Sequence, residues 1–89
     1  MAATHVYQPV TYVSKTLEVS IGEDVERFPF NVKVVGDPAD PLARDVEHDF
    51  LVAVRARLLE RWGKHVALMD LRRIIEAAIG GSAVVPISL

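Results

Sequence analysis

Two stretches of this chain alternate apolar and polar residues one by one. In the first, Val13, Leu17, Val19 and Ile21 fall on one side and Ser14, Thr16, Glu18 and Ser20 on the other. In the second, Phe28, Phe30, Val32 and Val34 oppose Arg27, Pro29, Asn31 and Lys33. A period of two is that of a half-buried strand, so the pattern predicts strands over residues 10–21 and 26–35. Gly22, Glu23 and Asp24 are turn formers between them, which makes the pair a hairpin. With the turn at Gly22–Val25, Ile21 faces Glu26, Val19 faces Phe28, Leu17 faces Phe30 and Val13 faces Val34. The other side then pairs Ser20 with Arg27, Thr16 with Asn31 and Ser14 with Lys33, and a slip by one residue would mix the two faces. Lys15 interrupts the apolar face. Pro29 has no N–H for a ladder and marks one side of its strand as an edge or a bulge.

Beyond residue 40 the period lengthens. Leu42, Val46, Phe50, Val54, Leu58 and Trp62 recur every fourth residue, and Leu51 and Leu59 widen the stripe. With Asp40 as N-cap, Pro41 at the first helical position and Gly63 as the stop, the pattern predicts a helix over 41–62. Asp45, Glu47 and Asp49 near its start and Arg55, Arg57 and Arg61 near its end suit the helix dipole. A spacing of four drifts by about 40° per step, so the stripe wraps around the cylinder and meets more than one neighbour. A second helix is predicted over 70–79, where Leu71, Ile74, Ile75, Ala78 and Ile79 form one face and Gly80-Gly81 follow as a stop. Arg72 and Glu76 are spaced to pair across one of its turns. The tail over 82–89 has strand composition, but Pro86 excludes a central strand. It either pairs at an edge of the same sheet or reaches a neighbouring subunit. The expected order is β-β-α-α-(β), a two-layer α+β domain over 1–89, with 1–9 as a loose lead-in and 82–89 as a C-terminal strand or arm.

Composition sharpens this in one respect. The chain has 89 residues, of which 51% are hydrophobic. A domain of this size buries only about 60% of its unfolded surface, so a subunit interface is a natural place for the excess. The open edges of a small sheet would serve that purpose. The absence of cysteine removes disulfides and thiol nucleophiles and fits a cytosolic location. No apolar run is long enough to span a membrane, and the N-terminus has no basic-then-apolar leader, so a cytoplasmic protein is expected.

Charge supplies the second candidate partner. The net charge of −2 opposes a general affinity for nucleic acid or anionic lipid. Between Arg55 and Arg73, however, Arg55, Arg57, Arg61, Lys64, Arg72 and Arg73 stand against only Glu60 and Asp70. Helix, short turn and helix here invite a helix-turn-helix reading. Leu59 stands where that motif wants a small residue, and Arg72 where it wants an apolar one. A solvated, cation-rich helix end accounts for the same residues more simply.

Catalytic chemistry finds little to stand on. Asp45, His48 and Asp49, at i, i+3 and i+4 of the expected helix, could ligate a metal or move a proton. No further ligand is placed to complete a site, and His5 and His65 have no ligand spacing. Ser82 in Gly-Gly-Ser-Ala-Val lacks the second glycine of a nucleophile elbow, and no phosphate-binding glycine loop is present. The expectation is a non-catalytic protein with no metal and no cofactor, acting as a small oligomerising or adaptor module. Self-association is assigned to Val84, Val85, Ile87 and Leu89 of the tail, or to an edge strand. Trp62 is either an anchor for a partner or a core residue closing the hairpin layer. A nucleic-acid-binding accessory protein using the Arg55–Arg73 cluster is the alternative.

Overall fold

The structure, a computed structural model, describes residues 9–37, 40 and 43–89. The expected lead-in lies outside them except for Pro9, as do His5, Pro41 and Leu42. The elements run β1 (Val10–Ile21), β2 (Asp24–Val35), β3 (Arg44–Val46), α1 (His48–Trp62), α2 (Leu68–Ala78) and β4 (Val84–Ser88). The four strands form one sheet in the order β3-β2-β1-β4, with β1 antiparallel to β2, β2 antiparallel to β3, and β4 parallel to β1. Both helices lie on one face, which gives the expected α+β class.

The hairpin forms, and its faces are the expected ones, but its register is not. Leu17 pairs with Phe28, Lys15 with Phe30, Val19 with Glu26 and Ile21 with Asp24. Each partner lies two residues from the expected one. The reason is the turn, which uses two residues where four were expected. Gly22 has φ +60° and Glu23 has no positive φ, which fits a type II′ turn, whose twist matches that of the strands. A slip of two preserves the faces, so the hydrophobic pattern could not detect it. On the outer face the pairs become Ser14 with Asn31, joined by a 3.1 Å hydrogen bond, and Glu18 with Arg27, joined by a 3.1 Å ion pair.

The long helix is shorter than its stripe. It begins at His48 and not at Pro41, and Asp40 is not its cap; the flanking residue is Glu47, whose side chain makes no capping bond. The segment before it is the extra strand β3, which sets Val46 against Val32 and Arg44 against Val34. Arg44 and Val46 share a face at period two just as Val46 and Phe50 share one at period four, so so short a segment was ambiguous. Pairing the end of β2 and burying Val46 completely decided it. At the other end Gly63 adopts φ +61°, and its N–H and that of Lys64 donate to the carbonyls of Leu59 and Leu58, as expected of the stop. α2 ends at Ala78, one residue before the expected end, and Gly80 and Gly81 take no left-handed conformation.

The core lies between the sheet's inner face and the helices. Leu17, Val19, Val32, Val46, Leu51, Val54, Leu58, Leu71, Ile75 and Val85 are fully buried. Phe30 and Phe50 stack with centroids 4.6 Å apart. Lys15 does not break this face. Its Nζ donates to the carbonyls of Gly80 at 3.1 Å and Ser82 at 2.6 Å, just past the end of α2, while Arg44 donates to the carbonyl of Ile79 at 2.9 Å. α2 has no basic residue in its last turn, so two cations from the sheet stand at its negative end.

Added methyl groups meet open space at both Gly22 and Gly80, but only Gly22 has a positive φ. In urea denaturation Gly22→Ala should lower the unfolding free energy by about 1–3 kcal/mol. Gly80→Ala should leave it unchanged or raise it by up to about 1 kcal/mol. Equal losses at both positions would contradict the two-residue turn.

Candidate functional site

The cluster from Arg55 to Arg73 is not a continuous cationic surface. Glu26 stands on the inner face of β2, opposite Val19, and therefore points toward α1. Arg57 Nε donates to both of its carboxylate oxygens, at 2.9 and 3.0 Å, and Arg61 approaches it to 3.6 Å. Arg57 also reaches Glu60 at 3.4 Å. Arg72 donates to Asp45 Oδ1 at 2.9 Å and to the Val46 carbonyl at 2.8 Å, and it pairs with Glu76 at 3.4 Å, as its spacing predicts. Arg73 pairs with Asp70. Among the described residues only Arg55 and Lys64 of the six have no carboxylate partner. The sequence count missed Glu26 and Asp45, which are remote in the chain and are brought in by the hairpin and β3.

Trp62 is half-buried and packs against the core. Its Nε1 donates to Asp24 Oδ2 at 3.0 Å, and the Arg61 guanidinium lies 4.3 Å from its ring centroid. The end of α1 is thus fastened to the hairpin tip by Asp24 and Glu26, two carboxylates on the otherwise apolar inner side of β2. Asp45, His48 and Asp49 do not share a helix. Asp45 belongs to β3 and is held by Arg72, while His48 and Asp49 lie exposed in the first turn of α1. Among the described residues no three His, Asp or Glu side chains converge as metal ligands would.

The tail pairs within its own chain. Val85 lies opposite Leu17 and Ile87 opposite Val19; Val85 is fully buried and Ile87 nearly so. Leu89 is half-buried against the core, and Val84 is 41% exposed. Of Val84, Val85, Ile87, Leu89 and Trp62, the residues considered for an interface, Val84 alone is largely exposed.

The sheet edges are unequal. Thr16 N–H donates to the Ala83 carbonyl and the Ser20 carbonyl accepts from Leu89, so even-numbered residues of β1 turn their backbone groups toward β4. The Pro9 carbonyl accepts from Gly36, so odd-numbered residues face β2. By the same alternation Pro29 stands with its missing donor on the outer edge of β2, where β3 does not reach, and Pro86 with its own on the outer edge of β4. β4 pairs only with Thr16–Ser20, so among the described residues the edge of β1 at Val10, Tyr12 and Ser14 has no strand beside it. That stretch contains neither proline nor charge, and Val10, Tyr12 and Val13 are 51%, 56% and 37% exposed.

No family model, curated protein or solved structure matches this chain. No helix among the described residues is long and apolar enough to cross a membrane.

The Glu26–Arg57 pair is partly exposed, with side chains 20% and 40% accessible, so its worth is limited by solvent screening. A double-mutant cycle with Glu26→Ala and Arg57→Ala should give a coupling of about 0.5–1 kcal/mol that shrinks with added salt. Zero coupling at low salt would show that the pair does not fasten α1 to the hairpin.

Proposed function

We propose that this protein is a small non-catalytic module that associates with itself through the free edge of β1. The observation that carries the reading is the uncharged stretch Val10–Ser14, which has no strand beside it among the described residues, in a sheet where the exposed parts of β2 and β4 carry proline. Natural sheets commonly protect exposed edges with proline, charge or cover; this chain has proline on the exposed parts of β2 and β4, whereas the β1 stretch has neither proline nor charge. An antiparallel pair of β1 strands about Tyr12 is self-complementary under two-fold symmetry. Tyr12 meets Tyr12 of the second copy, Val10 meets Ser14 and Thr11 meets Val13. The residues are strand formers, and no like charges face each other. The outward N–H and C=O groups of Val10, Tyr12 and Ser14 supply the ladder.

The tail supports this reading less as an exchanged arm than as part of the fold, since Val85 and Ile87 complete the core. The nucleic-acid alternative draws on Arg55, Arg57, Arg61, Lys64, Arg72 and Arg73, and the carboxylates beside four of them lower the positive potential that phosphate tracking requires.

Tyr12→Pro tests the proposal, because it places on β1 the device already present on β2 and β4. Its N–H faces outward, so the β1–β2 ladder keeps its bonds. Sedimentation should give a dimer for the native chain and a monomer for the variant, with far-ultraviolet dichroism retained. A native chain that stays monomeric at about 100 µM, or a variant that stays dimeric, overturns the edge assignment; Kd values of specific pairs normally lie well below that concentration.

A further inference from the structure

The helical layer carries a second surface, independent of the sheet edge. Between α1 and α2 the connector from Gly63 to Ala67 has no regular structure, and a groove runs along each side of it. The groove on the α1 side has a volume of about 520 Å³ and a floor of Val52, Ala56, Leu59 and Val66. The groove on the α2 side, about 710 Å³, shares Lys64, His65, Val66 and Ala67 with the first and continues over Ile74, Ala77 and Leu89. Leu59 and Ile74 belong to the apolar stripes of their helices, yet they remain 46% and 37% exposed.

Charge decides what fits there. Arg55, Lys64 and His65 rim the first groove, and its lining contains no aspartate or glutamate. Arg57, Arg61, Arg72 and Arg73 are each paired to a carboxylate, whereas Arg55 and Lys64 have none among the described residues. The only uncompensated cations of the cluster therefore border an apolar trough. We infer that this trough docks an acidic amphipathic helix of a partner protein, with aliphatic side chains on Leu59 and Val66 and carboxylates at Arg55 and Lys64. Helix-in-groove recognition uses this combination of an apolar floor and a charged rim. Nucleic acid fits less well, because the floor has no aromatic ring for a base to stack on and two cations neutralise too few phosphates.

The test titrates the isotope-labelled full chain with a synthetic helical peptide that repeats Leu at i, i+3 and i+4 and fills the other positions with Glu and Ala. Expected are amide shifts at Val52, Ala56, Leu59 and Val66, and an affinity weakened at least about tenfold by Arg55→Glu with Lys64→Glu. Both side chains are exposed, so that variant should melt as the native chain does. A peptide of the same composition with its leucines scrambled should not shift these amides. The inference is overturned if the amphipathic peptide shifts none of them at about 1 mM. It is equally overturned if the scrambled peptide binds as well, or if the charge-reversed variant binds unchanged. Preferential binding of a single-stranded oligonucleotide at the same residues, weakening steeply with salt, would transfer the site to nucleic acid. The Tyr12→Pro chain should bind the peptide normally, which separates failure here from failure of the strand-edge pairing.

Discussion

Burial of the inner face of β1 is the constraint on which the remainder depends. Leu17 and Val19 are fully buried, and each is flanked in the sheet by a residue of β2 on one side and of β4 on the other. Without β4 those two side chains would face water along one flank, so the last residues of the chain complete a core that the first strands begin. The helices close the same surface from above, with Leu51, Val54 and Leu58 from α1 and Leu71 and Ile75 from α2. In a chain of 89 residues such a core is small. Its integrity rests on a few large side chains, each of which touches several elements.

Polar groups finish what the apolar contacts start, and they do so at the two ends of the helical layer. At the hairpin tip, Asp24 and Glu26 interrupt the apolar face of β2 and take the Trp62 indole and the Arg57 guanidinium. At the opposite end, Lys15 and Arg44 interrupt the apolar pattern of their strands and reach the carbonyls beyond α2. Each breach of alternation in the sheet thus corresponds to a helix terminus lying above it. Buried side-chain nitrogen and oxygen atoms without a partner are absent among the described residues, as such accounting requires.

The α+β class, the hairpin faces, the second helix and the Gly63 stop were legible because each repeats over many residues or depends on one special conformation. Three features were not. The register depended on turn length, and two and four residues leave the same side chains inward. β3 spans three residues, too few for its period to be told from that of the following helix. The ion pairs of Arg57 and Arg72 depend on Glu26 and Asp45, which lie 31 and 27 residues away. Local charge counts therefore exaggerated the basic cluster. The same counts did point to Lys64 and Arg55, which retain their charge unpaired, but only the fold shows that these border an apolar groove.

The proline on the outer edge of β2 has a consequence for how far the proposed assembly can go. Strand addition is in principle open-ended, since each new strand presents another edge. In the proposed pair the free stretch of β1 is used up about the two-fold axis, and each end of the joined sheet is then the β2–β3 side of one copy, where Pro29 stands beyond the reach of β3. A third copy would find an interrupted row of donors in place of a template. Under that proposal pairing is separated from polymerisation: the sheet doubles once, and the terminator is built into β2, whose first task is to cover the core.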